Sequence, residues 1–251
     1  MASLPAELTA ALAAVGRRRP LLVASDYDGV LARLRDEPDD AVPEPGVAEA
    51  LARLADDDGV TVALVSGRGV ADLRRTSGLV GPYRWIGSHG AEFDGPLPRE
   101  LVDRRNAVAR RLADLVAEAP GVRAEVKPAS VALHVRRVGD RAVAADLLAR
   151  AREVARQIPD AGLTLKPGKD VLEIAVTDAD KGSAVTRLRD ELGAVAVVYL
   201  GDDVTDEDAF HALSDTDVTI KVGAGDTAAR FRVEDPAAVL AVLASIADNR
   251  P

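Results

Sequence analysis

Four short runs, apolar at almost every position, constrain this chain more than anything else in it. They are LLVAS (Leu21 to Ser25), VTVALVS ending at Ser66, VAVVYLG (Val195 to Gly201) and DVTIKV from Asp217. A strand that is apolar on both faces must be covered on both, the condition of a parallel sheet between layers of helices. The runs alternate with helix-periodic segments, so the connections read as βαβ units. The fold class is α/β, with a Rossmann-like parallel-sheet core. Helix punctuation agrees. The segment after Asp180 reads as a helix stopped at Gly193. Thr205, with Asp208 three residues on, resembles an N-cap. Asp235 before Pro236 marks the start of the last helix.

The stretch from Pro96 to Val176 is patterned differently. Helical periodicity covers roughly Leu101 to Ala119 and Arg141 to Gln157, and VRAEVK and SVALHVRRV alternate with period two. Such strands are covered on one face and open on the other. We expect an α+β cap at 96–176, inserted into a core built from 1–95 and 177–251 and set over the catalytic ends of the core strands. In the cap, Val122, Ala124 and Val126 share one face and Arg123, Glu125 and Lys127 the other. Val131, Leu133 and Val135 oppose His134 and Arg136, and Lys169 and Glu173 fall in the same parity. A polar face with both charge signs suits sugar hydroxyls; its plain alternative is an ordinary solvated sheet face.

Composition narrows the function classes. The 251 residues include no cysteine, which excludes disulfides, thiolate metal sites and Cys nucleophiles. Lys and Arg total 32 against 41 Asp and Glu, a formal charge of −9, which argues against a nucleic-acid partner. An acidic chain that binds phosphate must neutralise charge locally, through a cation, placed Lys or Arg, or helix N-termini. No apolar run is long enough for a membrane span. The N-terminal MASLPAELTAALAAVGRRRP carries its charges after the apolar part, unlike a signal peptide, so a short surface helix and a cytoplasmic setting are expected.

The chemistry lies at the ends of the apolar runs, where open parallel sheets bind ligands. Asp26 and Asp28, in SDYDGVL, can serve one phosphate as nucleophile and as acid/base, with Gly29 allowing a sharp turn. Asp202 and Asp203 end the third run, with Asp206 one helical turn on. Oxygen ligands without His or Cys select Mg²⁺ over Zn²⁺. Ser66, with the N–H groups of the Gly67–Arg68 turn, can hold phosphate oxygens. Lys181 opens a helix, against the dipole, and pairing with a carboxylate and a phosphate supplies a reason. Each segment alone has a plainer reading: an acidic turn, a stabilised helix N-terminus, a turn serine, a surface lysine. His89 and Trp85 read as structural.

Taken in order, the four segments resemble the haloacid dehalogenase superfamily of phosphotransferases. The runs DYDGVL, VSGR, GSHGAEF, GKDVLEIA and GDDVTDEDAF resemble more closely the trehalose-6-phosphate phosphatase family, over roughly Leu21 to Lys221. The resemblance implies a nucleophile at Asp26, a general acid/base at Asp28, and Ser66 and Lys181 on the phosphate. It implies Mg²⁺ on Asp26, the Asp28 carbonyl and Asp202, and sugar recognition at Glu125, Lys127, Lys169 and Glu173. Val30 stands where the family usually has Thr, with little effect expected on the chemistry. No fused sugar-transferase domain is read in the chain, so the sugar phosphate is expected to be made elsewhere. The partner implied is a small-molecule sugar phosphate. Competing expectations are sucrose phosphate or a glycosyl-glycerate phosphate as substrate, a phosphomutase, or a non-catalytic sugar-phosphate sensor.

Overall fold

The computed structural model describes residues 4–158 and 162–249. In chain order the elements are α1 (Ala6–Val15), β1 (Leu21–Ser25), α2 (Val47–Ala55), β2 (Val60–Val65), α3 (Val70–Ser77), β3 (Arg84–Gly87) and β4 (Glu92–Phe93). Then come α4 (Arg99–Glu118), β5 (Arg123–Val126), β6 (Ser130–His134), α5 (Arg141–Arg156), β7 (Thr164–Gly168) and β8 (Val171–Ala175). The chain ends with α6 (Lys181–Leu192), β9 (Ala196–Gly201), α7 (Asp206–Ala212), β10 (Val218–Val222), β11 (Phe231–Val233) and α8 (Pro236–Asp248). These elements form two compact units, one of Met1–Pro96 with Ala179–Pro251, the other of Leu97–Asp178.

The first unit is a seven-stranded sheet in the order β11-β10-β9-β1-β2-β3-β4, parallel except for the antiparallel pair β3–β4. One face packs Leu21, Val23, Leu64, Val198 and Ile220 against α1, α2 and α8, through Leu8, Leu12, Leu51, Leu54 and Leu243. The other packs Leu22, Ala24, Val65 and Val197 against α6 and α7, through Val185, Leu188 and Phe210. Both faces of the apolar runs are thus covered, as their composition requires. The chain leaves β1 toward β2 on one side and returns to β9 on the other, which makes β1 the topological switch point. Leu200, Ser25 and Leu64 align across the three strands. Asp26, one step on, still donates its N–H to Leu200 O at 2.9 Å. With neighbouring strands about 4.8 Å apart, the segments bearing Asp26, Ser66 and Asp202 leave the sheet side by side.

Two local expectations need revision. The N-terminal helix is more than a surface element, because Leu8 and Leu12 are fully buried in the core. Thr205 does not cap α7. It is already in the helical region, and no hydrogen bond of its side chain caps the helix. Asp203 takes that place: Oδ1 accepts from Thr205 N at 2.8 Å, Thr205 Oγ1 at 2.7 Å and Asp206 N at 3.3 Å. A carboxylate wins this position because its charge also favours a helix N-terminus. The other punctuation holds: Asp180 and Ser183 form a reciprocal capping box, Gly193 ends α6 in the left-handed region, and Asp235 caps α8.

The second unit is a four-stranded antiparallel sheet, β5-β6-β8-β7, backed by α4 and α5. Val131, Leu133, Leu172 and Ile174 are buried, as are Val108, Leu112 and Leu115 of α4 and Leu147 of α5. Val126 departs from its expected covered position and is 53% exposed, at the end of an edge strand. Lys169 departs too. It lies in the Lys169–Asp170 turn between β7 and β8, so it does not share a strand with Glu173. The opposite face carries the row Glu125, Ala132, Glu173 and Lys166, paired strand to strand. Among the described residues no helix is long and apolar enough to cross a membrane.

Candidate active site

Asp26 directly follows β1, a strand buried at every position, and is itself buried. Its Oδ1 accepts from Tyr27 N at 2.6 Å and its Oδ2 from Lys181 Nζ at 2.5 Å. Lys181 enters from the first turn of α6 and is 1% exposed. Its ammonium also donates to Asp206 Oδ1 at 2.8 Å and lies 3.8 Å from Asp203. Burial opposes the charge on Lys181, but Asp26, Asp206 and Asp203 together hold its pKa well above the usual lysine range. Burial pushes Asp26 up; Lys181 opposes that rise and Asp206 adds to it. The lysine that sits against the helix dipole is therefore held by three carboxylates.

Asp206 organises the opposite wall. It has no exposed surface, and its Oδ1 accepts from Lys181 and from the Tyr199 hydroxyl at 2.7 Å. Its Oδ2 accepts from the N–H groups of Asp202 at 2.9 Å and Asp203 at 3.0 Å. Lys221 binds the same loop from β10, donating to Asp202 O at 2.5 Å. Sequence reasoning missed Lys221 and placed Asp206 only in the acidic cluster offered for Mg²⁺, without its part in holding Lys181 and the Asp202 loop. The available signal was a lysine inside a run whose other members are buried: a buried lysine needs acceptors.

Carboxylate oxygens of Asp26, Asp203 and Asp206 lie within 4.8 Å of one another. Asp202 packs against Gly29. At that residue φ is +77°, and a Cβ would stand 2.0 Å from Asp202 Oδ2. Burial, then the charges of Asp206 and Asp203, push the Asp202 carboxyl up to about 6. This excess of crowded carboxylate over ammonium fits a hard dication. An oxygen-only donor set selects Mg²⁺-like ions.

Asp28 is turned toward Arg68. Arg68 Nε donates to Oδ2 at 2.6 Å and Nη2 to Oδ1 at 2.8 Å. Ser66 is buried, and its Oγ accepts from Arg68 N at 3.1 Å. Gly67 lies under the His89 ring, where a Cβ would come within 2.6 Å of Cε1. His89 sits in a left-handed turn, φ 56°, and donates its N–H to Ser66 O. It thus braces the Ser66 loop. Trp85 is buried and packs edge-on to Tyr83.

In the second unit, Glu173 accepts from Ser130 Oγ at 2.6 Å and Lys127 Nζ at 2.9 Å. Glu125 pairs with His134 Nε2 at 2.9 Å. Next to these pairs a cleft of about 730 Å³ is lined by Arg123, His134, Arg136, Lys169 and Asp170, among others. The residues expected on the polar face thus divide into two pairs and a basic cleft. Lys166, aligned with Glu173, was not anticipated.

Residues 24–237 match the family model described as trehalose-phosphatase. The chain belongs to the trehalose-phosphatase family. Trehalose-phosphate phosphatase of Mycobacterium marinum is 36% identical over 258 aligned positions, covering 93% of this chain and 64% of that protein. The chain therefore spans just under two thirds of that relative. Among solved structures, trehalose-6-phosphate phosphatase of Aspergillus fumigatus superposes with a TM-score of 0.79 at 27% identity, over 98% of this chain and 99% of the other. Sucrose-phosphatase of Synechocystis, at 18% identity and a TM-score of 0.54, over 92% of this chain and 98% of the other, shares the fold. That fold is the α/β fold of the haloacid dehalogenase phosphatases.

Proposed function

We propose that the chain hydrolyses trehalose 6-phosphate to trehalose and phosphate through an aspartyl-phosphate on Asp26. The observation that carries this reading is the position of Asp26: a buried carboxylate at the switch point, hydrogen-bonded to a buried lysine, beside Ser66 and the Asp202 loop. An Asp26 oxygen attacks phosphorus and the bond to the sugar oxygen breaks. Asp28 gives its proton to the departing alkoxide. Asp28 then takes a proton from water as that water attacks the phospho-enzyme. The bond from phosphorus to Asp26 breaks and phosphate leaves. Lys181 and Ser66 hold the phosphate oxygens, with the N–H groups of Gly67 and Arg68 as further donors. Asp26, the Asp28 carbonyl and Asp202 would hold Mg²⁺, with Asp203 close by. Bound there, the ion supplies the positive charge that lets a phosphate approach so many carboxylates.

The second unit is assigned sugar recognition through Glu125, Lys127, Lys169 and Glu173, with His134 and Arg136 lining the cleft. The partner is a small molecule, in a cytoplasmic setting. The test is phosphate release from a panel of trehalose 6-phosphate, sucrose phosphate, a glycosyl-glycerate phosphate and glucose 6-phosphate, before and after chelation. The expected result is the highest kcat/KM on trehalose 6-phosphate, lost in EDTA and restored by Mg²⁺. Preference for another member keeps the mechanism and rejects the substrate. Full activity after chelation rejects the metal.

A further inference from the structure

Arg68 stands two residues after Ser66, where a guanidinium could reach a phosphate. Its donors point elsewhere. Nε and Nη2 form a two-pronged pair with Asp28, Nη2 also donates to Pro38 O at 2.7 Å, and Nη1 donates to Asp72 Oδ2 at 3.0 Å. Four of the five guanidinium N–H groups are therefore engaged, and the side chain is 10% exposed. Its backbone is fixed as well, since Arg68 N donates to Ser66 Oγ and Arg68 O accepts from Ser88 N at 2.7 Å. Behind it the charges alternate, Asp72 to Arg75 to Asp39, through contacts of 2.5 and 2.6 Å. This is how a planar fork is held to orient a carboxylate.

We propose that the Arg68 guanidinium is a positioning group for the acid/base step: it fixes the orientation of the Asp28 carboxylate and acts through Asp28, and does not itself touch the sugar phosphate. The proposal rests on the reading of Asp28 as acid/base. A group that must face first the departing alcohol and then the attacking water tolerates little displacement. Misplacement by 1 Å can cost about 10²-fold in rate.

The test uses two substrates: trehalose 6-phosphate, whose alcohol needs a proton to depart, and nitrophenyl phosphate, whose phenolate does not. Arg68→Ala is expected to lower kcat on the sugar phosphate by about 10²-fold, with KM little changed. Rapid quench should find phosphoryl transfer from the aryl phosphate near the wild-type rate, followed by slow hydrolysis and accumulation of the phospho-enzyme. In an Asp28→Ala background the same substitution should cost nothing further, because residues that act as a unit are not additive. Arg68→Lys keeps the charge without the fork and should recover only part of the rate. Asp72→Asn loosens the guanidinium from behind and should give a smaller loss of the same kind, which keeps the test decisive if Arg68→Ala fails to fold. A rise in KM on both substrates, or a loss that persists undiminished in the Asp28→Ala enzyme, overturns the positioning role and makes the guanidinium a phosphate ligand. An Asp28→Ala enzyme as fast as wild type overturns the acid/base reading, and the positioning role with it.

Discussion

Asp26 and Lys181 form one buried pair, yet their replacement should have opposite effects on stability. Asp26→Asn keeps the shape and removes a charge that burial already disfavours. It should abolish turnover and the covalent phosphate while leaving the thermal midpoint unchanged or higher, the usual relation between a strained site and stability. Lys181→Ala removes the ammonium shared by Asp26 and Asp206 and leaves two buried carboxylates without it. Removing one partner of a buried pair costs roughly 3–5 kcal/mol, so this variant should lose both activity and stability. Denaturant titration of the two variants beside phosphate release checks both claims. Similar stability in the two would mean that Lys181 serves the phosphate alone.

At the scale of elements, the polar face of the second unit's sheet should weaken in acid. Burial alone would push Glu173 up, but hydrogen bonds from Ser130 and Lys127, with the charges of Lys127 and Lys166, hold it below its ordinary 4.5. Glu125 is likewise held low, by His134 and Lys127 against the effect of burial. A depressed carboxylate contributes stability that is fully present above the unfolded pKa and is lost as pH falls through the folded one. Hydrogen exchange of the β5–β8 amides should therefore accelerate as pH drops below 4.5, after correction for intrinsic exchange, and Glu173→Gln should flatten that dependence. A slope unchanged in Glu173→Gln would remove Glu173 as its source. These elements also mark where sequence stops being informative. The core strands were legible because two covered faces leave no room for polar residues, and Asp26, Ser66 and Asp202 were legible as the polar residues that end them. Lys169 was misplaced because parity counts nothing across a turn: two residues between β7 and β8 take it off the strand. The reach of Arg68 to Asp28, of Lys221 to the Asp202 carbonyl and of Asp206 to Tyr199 depends on tertiary neighbours, and no local pattern encodes it.

On the scale of the whole molecule, the residues assigned to the chemistry lie in one unit and those assigned to the sugar in the other, so the two contributions should separate experimentally. Lys169 is the sharpest probe. It is exposed in a turn beside Asp170 and lines the basic cleft. Lys169→Ala should therefore shift folding stability by no more than about 0.5 kcal/mol, as surface substitutions do. If Lys169 bonds a sugar hydroxyl, kcat/KM for trehalose 6-phosphate should fall by the worth of a charged hydrogen bond, about 1.5–3 kcal/mol, or roughly 10- to 150-fold. Nitrophenyl phosphate makes no sugar contacts and should be hydrolysed at an unchanged rate. The ratio of the two kcat/KM values is the quantity to measure, because it cancels any common loss of active enzyme. Arg136→Ala, in the lining of the same cleft, should move the ratio in the same direction. An equal loss on both substrates would tie these residues to the chemistry, and no loss on either would return the cleft to ordinary solvated surface.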